Sequence, residues 1–230
     1  MTLYYASEAL RCDEFVPNKK QWLKEAIANN NQDAILAKVK SLPYMGTESI
    51  GQLEKVANLG NLDAMIILAM WYSRKNNYKG LVGGEDQEKS LKWFNKAAGA
   101  GSPNAMYFLG MIYKYKQITR DKYEQPLFIK YDIAPDERFA LNWFIKADQP
   151  NYKESIYSRS ESSTHTYLAS SSYNVPSACY EIFLLYKNGK VVKDKAKAIE
   201  MKSKVKYLGM SGSYKDDNRI NEKFSDIKRY

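Results

Sequence analysis

The chain of 230 residues carries one histidine, His165. A multi-histidine metal site is therefore excluded, and a histidine-based triad has only one place to stand. His165 lies among Ser162, Ser163 and Thr164, the composition of a loop. The two cysteines, Cys12 and Cys179, are far apart and form no Cys-x-x-Cys pair, so a small disulfide-clamped repeat is excluded and the compartment is not decided by them. Gly80, Gly83 and Gly84 fall in the stretch Lys75–Glu85. They lack the spacing, the preceding strand and the Lys-Ser/Thr of a phosphate-binding loop, and read as a turn. No nucleophile elbow or dinucleotide fingerprint is present. Asp86, Asp136 and Asp194 occupy equivalent places in a repeating pattern, which suits helix caps better than general acids. The sequence thus predicts no enzyme, no metal and no cofactor. What remains is recognition, by aromatic residues, methionines and charge.

The elements that would position such residues are helices. Ala64, Leu68 and Tyr72 are spaced for one helix face, and Leu91, Phe94 and Ala98 for another. Asp86 stands as an N-cap before the second run and Gly101 where it should stop. The unit is two helices joined by a glycine-containing turn, and it recurs. Ala-x-x-x-(Leu/Ile)-x-x-x-Tyr appears as Ala64-Leu68-Tyr72, Ala105-Leu109-Tyr113 and Ala178-Ile182-Tyr186. After each comes an Asp, then a small residue four positions on (Ser90, Ala140, Ala198), then a large apolar one (Trp93, Trp143, Met201). Small residues admit a close approach of two helices, and large ones fill the gaps beside it. One such pair cannot bury its apolar face alone, whereas stacked pairs can.

These residues resemble the Sel1-like repeat, a tetratricopeptide-related α/α unit. Leu109-Gly110 and Trp93-Phe94-x-Lys96-Ala97-Ala98-x-x-Gly101 match its pattern closely. The first unit departs at Ala69, where the family has Gly, and the third at Met201, where it has Trp. The resemblance implies an all-α fold, a right-handed α/α solenoid of helix-pair repeats with N- and C-terminal capping helices. One repeat domain over 1–230 is expected, with clear repeats at about 62–101, 103–148 and 176–209. A degenerate repeat or cap over 18–60 comprises helices near 19–29, 34–42 and 47–60. Ile220, Phe224 and Ile227 mark a short cap at 218–229.

Two insertions interrupt the second unit. Tyr72 to Asp86 is 14 positions and Tyr186 to Asp194 is 8, but Tyr113 to Asp136 is 23. Lys114–Pro135 carries Tyr115, Tyr123, Phe128 and Tyr131 among lysines, and Asp148–Pro176 is rich in Ser and Tyr. Aromatic-rich long loops suit recognition; a divergent helix pair within 151–172 is the other reading.

The resemblance also implies a scaffold that binds another protein, with the first helix of each pair on the concave side. A helical wheel then places Ile67, Met70 and Arg74 on the free face, with Phe108, Met111 and Tyr115, then Glu181, Leu184 and Asn188, at equivalent positions. Lys190 and Lys193 would flank this stripe. The formal charge of +9 points to an acidic partner surface. Small bacterial Sel1-like proteins include immunity proteins that occlude secreted toxins, and the Lys-, Asn- and Tyr-rich, irregular repeats fit such a one-partner binder. A basic nucleic-acid binder, motivated by +9 and 19 tyrosines, is the alternative of a different class, and a general or virulence-associated adaptor is a third. Nothing near Met1–Val16 reads as a signal peptide and no stretch is long and apolar enough to span a bilayer. A cytoplasmic location is expected, or a periplasmic one for a processed chain.

Overall fold

The computed structural model describes residues 19–41, 47–76, 83–119, 125–148 and 174–211. All regular structure among them is helical. The helices are α1 (Lys19–Ala28), α2 (Gln32–Ser41), α3 (Thr47–Asn58), α4 (Leu62–Tyr72), α5 (Gln87–Gly99), α6 (Pro103–Tyr115), α7 (Glu137–Ala147), α8 (Asn174–Asn188) and α9 (Lys195–Ser211). A single 3-10 turn, Gln125–Leu127, lies between α6 and α7. The cap expected at 218–229, and the helix pair that is the other reading of 151–172, lie outside the described residues.

Local chemistry sets where these helices start. A short side-chain oxygen accepts an otherwise unpaired backbone N–H of the first turn. Asn31 accepts from Ala34 N at 2.8 Å, Asn61 from Ala64 N at 3.1 Å and Ser102 from Ala105 N at 3.4 Å. The three aspartates of the repeat do the same for the second helices. Asp86 accepts from Lys89 N at 2.9 Å, Asp136 from Arg138 N and Phe139 N at 2.9 Å, and Asp194 from Lys197 N at 3.1 Å. Gly101 follows α5 at φ 93°, the left-handed geometry that ends a helix without a Cβ clash.

The contacts divide the chain into two compact units, Met1–Ala100 and Gly101–Tyr230. In the first, each helix packs on the next in sequence from α1 to α5, and α4 with α5 is the principal pair. α4 is buried nearly all round: Ala64, Met65, Ile66, Ile67, Leu68, Ala69 and Tyr72 are all interior. Leu53, Val56 and Ala57 of α3 cover one side of it, and Phe94, Ala97 and Ala98 of α5 another. In the second unit α6 packs on α7, α7 on α8, α8 on α9, and α6 also touches α8 directly. Its core is Tyr107, Met111, Ala140, Phe144, Ala147, Ala178, Ile182 and Leu185. A second cluster, Cys179, Tyr180, Phe183, Ala198 and Val205, joins α8 to α9.

Within each repeat the same backbone bond closes the turn. Asp86 N donates to Tyr72 O at 2.9 Å, Asp136 N to Tyr113 O at 3.0 Å, and Asp194 N to Tyr186 O at 2.8 Å. The insertion in the second repeat therefore leaves from a closed neck. Lys116, at φ 60°, ends α6, and its carbonyl accepts from Tyr131 N at 2.8 Å. That bond brings the returning chain back onto the unit, where Ile118, Phe128, Ile129 and Tyr131 are buried. The expectation that Lys114–Pro135 is a free recognition loop is corrected accordingly: Lys114 and Tyr115 belong to α6, and Phe128 and Tyr131 fill the interior.

Candidate partner-binding surface

The residues expected to form one exposed stripe meet different fates. In the first unit Ile67 is buried. Met70 is half-buried and Arg74 exposed, the latter's carbonyl accepting from Glu85 N at 2.9 Å. In the second unit Met111 and Glu181 are buried, since α6 and α8 lie against one another and cover them. Ile67, Met111, Glu181, Phe128 and Tyr131 are thus interior residues and not surface anchors. Phe108, Tyr115 and Leu184 are half-buried, and Asn188, Lys190 and Lys193 are exposed. Tyr123 lies outside the described residues.

Phe108 and Tyr115 rest on the core of the second unit and Leu184 on the α8–α9 cluster. The two stripes meet in a polar contact that periodicity does not foretell. The Glu181 carboxylate, 1% exposed, accepts from Tyr115 Oη at 2.7 Å and from Lys114 Nζ at 2.9 Å. A carboxylate taken out of water needs such partners, and the charged lysine with the phenol supplies them. α6 is thereby pinned to α8, and the half-exposed faces of Phe108, Tyr115 and Leu184 sit on a rigid base.

Two further polar contacts organise the second unit. The Glu137 carboxylate accepts from Lys190 N at 3.0 Å and from Val191 N at 2.7 Å, tying the start of α7 to the α8–α9 turn. Burial works to raise its pKa, but the backbone N–H groups of Lys190, Val191 and Val192 outweigh burial and hold it below the usual value. The Lys190 and Lys193 side chains thus project from a turn whose backbone is fixed. At the end of α7, Asp148 accepts from the Cys179 thiol at 2.6 Å and pairs with Lys204. Burial first, then the Asp148 hydrogen bond, pushes the Cys179 thiol far up, which makes it a poor nucleophile. Lys204 is raised although burial opposes it, because Asp148 holds its ammonium form.

Aromatic rings mark the equivalent positions of each turn. Lys89 lies over the Tyr72 ring at 5.2 Å and Lys197 over Tyr186 at 5.5 Å. At the matching place in the second repeat Phe139 packs on Tyr113, with ring centroids 4.9 Å apart. Lys96 and Lys146 lie over Trp93 and Trp143 at 5.0 and 4.7 Å. Among the described residues no group of three or more His, Cys, Asp or Glu is placed to hold a metal, and no helix is long and apolar enough to cross a membrane.

Paired helices, capped by Asp and closed by a Tyr–Asp backbone bond, define a protein built from α/α repeats. A Sel1 repeat protein from Oxalobacter formigenes has the same fold, with a TM-score of 0.54 at 18% identity, over 90% of this chain and 71% of that one. The architecture is therefore an all-α solenoid of Sel1-like repeats. No family model matches the sequence, and no curated protein matches it.

Proposed function

We infer that the protein is a non-catalytic interaction module that binds one acidic partner protein, and that it is an immunity-type protein that occludes a cognate secreted toxin in the bacterial cytoplasm. The observation that carries the reading is the α6–α8 face. It shows half-exposed Phe108, Tyr115 and Leu184 over the buried Lys114–Glu181–Tyr115 contact, with the cations Lys190 and Lys193 in the turn beyond. Apolar anchors on a rigid base with a charged rim are the usual anatomy of a specific interface. The charge of +9 supports an acidic partner.

The test is calorimetry against the product of the adjacent gene, beside thermal melts. Phe108→Ala and Leu184→Ala should each weaken binding by about 2 kcal/mol while the protein stays folded. Both should also fail to protect cells that express the toxin. Tyr115→Phe is a cleaner probe than Tyr115→Ala, because the ring remains while the bond to Glu181 goes. Reversing Lys190 or Lys193 should slow association and flatten its salt dependence. Wild-type affinity in Phe108→Ala and Leu184→Ala would remove this face. Salt-steep binding to generic nucleic acid would favour the nucleic-acid reading instead, for which the same charge is the support.

A further inference from the structure

The second helices of the three repeats carry matching outward positions, and one helix breaks their pattern. On α5 these positions hold Lys89, Lys92 and Asn95, and on α9 Lys197, Glu200 and Ser203, all exposed. On α7 the same positions hold Phe139, Asn142 and Ile145. Phe139 is 49% exposed and Ile145 40%, both among the large apolar side chains left in water in the described residues. The repeat fold does not demand apolar residues there, since the sister helices do without them. The Tyr113 ring that Phe139 touches is, in the other two repeats, a tyrosine covered by a lysine. A departure from a molecule's own repeat rule that leaves apolar surface in water points to a binding role.

The surroundings set the chemistry of what would bind. With 3.6 residues per turn, Phe139 and Ile145 lie about 120° apart on α7. The arc between them holds Lys146, Asn142 and Arg138, all exposed. No carboxylate follows Glu137 in this helix, and Glu137 itself is turned to the α8–α9 turn. The face therefore offers an aromatic and an aliphatic anchor separated by two cations. Beside it Trp143 is half-buried, and its indole N–H makes no hydrogen bond.

We propose that the outer face of α7, from Phe139 to Ile145, is a second docking surface, and that it takes an acidic segment of a protein bearing apolar side chains. Its Glu or Asp residues meet Arg138 and Lys146, and its apolar residues cover Phe139 and Ile145. The proposal rests on the reading of the chain as a protein-binding module and adds a second face to it.

The sister repeats supply a variant that the fold already tolerates: Phe139→Lys with Ile145→Asn places on α7 the residues found on α5. The probe is a fluorescent helical peptide of Glu and Leu, with counterparts in which Ser replaces Leu or Lys replaces Glu, read by anisotropy. The wild-type chain should bind the Glu/Leu peptide and neither counterpart. The double variant should melt as the wild type does and lose at least about tenfold in affinity. Ile145→Asn alone should lose part of it. Equal affinity of wild type and double variant overturns the proposal, as does equal binding of the Ser-for-Leu peptide. Loss in Phe108→Ala but not in the double variant would place the peptide on the α6–α8 face and overturn the assignment to α7, while leaving the primary reading standing. A single-stranded oligonucleotide that displaces the peptide from this face more tightly than the peptide binds would replace the protein partner with nucleic acid and overturn it too.

Discussion

The pairs α4–α5 and α6–α7 solve one problem in two ways. Each must bring two helices close at the residue after the Leu of its repeat, Leu68 or Leu109. In α4–α5 that residue is Ala69, and its carbonyl accepts from Ser90 Oγ at 2.8 Å. In α6–α7 it is Gly110, and a Cβ there would lie 2.5 Å from the Phe144 ring. The first pair is joined by a buried hydroxyl, the second by an aromatic ring laid on bare backbone. The same repeat position thus makes the close contact in both pairs, while the chemistry that makes it changes. The exposed sides differ in parallel. α5 turns lysines and Asn95 to water, and α7 turns Phe139 and Ile145.

The largest test of this contrast is removal of the big side chain beside the close approach. Trp93 is 5% exposed, and Trp93→Ala should lower stability by about 3–5 kcal/mol in urea titrations. Trp143 is only half-buried, so Trp143→Ala should cost clearly less. Equal losses would mean that the two pairs are packed alike after all.

Next comes the backbone itself. Gly110→Ala should destabilise by about 1–3 kcal/mol, because the ring of buried Phe144 must move. A second change, Phe144→Leu, should recover part of the loss, and a failure to do so would locate the strain elsewhere.

An alkaline titration addresses the first pair alone. Tyr72 Oη donates to Glu54 at 2.9 Å. Burial first, then the Glu54 hydrogen bond and charge, pushes its pKa up to about 12 from the ordinary 10.0. The unfolded phenol loses its proton before the folded one. The stabilising contribution is therefore intact below pH 10 and is lost as pH rises from there toward 12, by on the order of 2 kcal/mol. Circular dichroism melts of wild type and Tyr72→Phe across that range check it, since the variant should lack this part of the decline.

The smallest effect expected is that of Ser90→Ala. Ala69 O keeps a bond from Ser73 N at 3.0 Å, so removing the hydroxyl leaves no orphaned acceptor. A cost of about 1 kcal/mol follows. A much larger one would show that the hydroxyl, and not the small volume of the residue, permits the approach.

These contrasts also show what the sequence could disclose. N-caps were legible at Asp86, Asp136 and Asp194 because capping is a contact between residues two or three apart. Helix ends were legible to within a few residues for the same reason. The free face of the first helices was not. A wheel ranks the sides of one helix, and it cannot know that Ile67 is buried or that α8 packs in one cluster with Met111. The aromatic insertion misled in a similar way, since Phe128 and Tyr131 have the composition of a binding loop and the burial of a core. Lys114 and Glu181 are 67 residues apart, and Asp148 and Lys204 are 56, so no short-range pattern announces either pair. Phe139 and Ile145 carried a usable sign: aligned with Lys89 and Asn95, they are apolar where the repeat is polar.

The closed neck of each repeat carries a consequence for how such a chain can vary in length. The Tyr–Asp backbone bond is the same across separations of 8, 14 and 23 positions. Once the ends are held together, a longer loop costs only the logarithm of its length. Going from 8 positions to 23 adds about 1 kcal/mol of closure entropy. Burying a single aromatic side chain such as Phe128 returns about 1.5–3 kcal/mol. Segments can therefore enter at these necks with almost no thermodynamic resistance, and one apolar residue that folds back is enough to make an insertion neutral. Each neck is in this sense an open slot for evolutionary growth, held at constant geometry while whatever hangs from it is free to diverge.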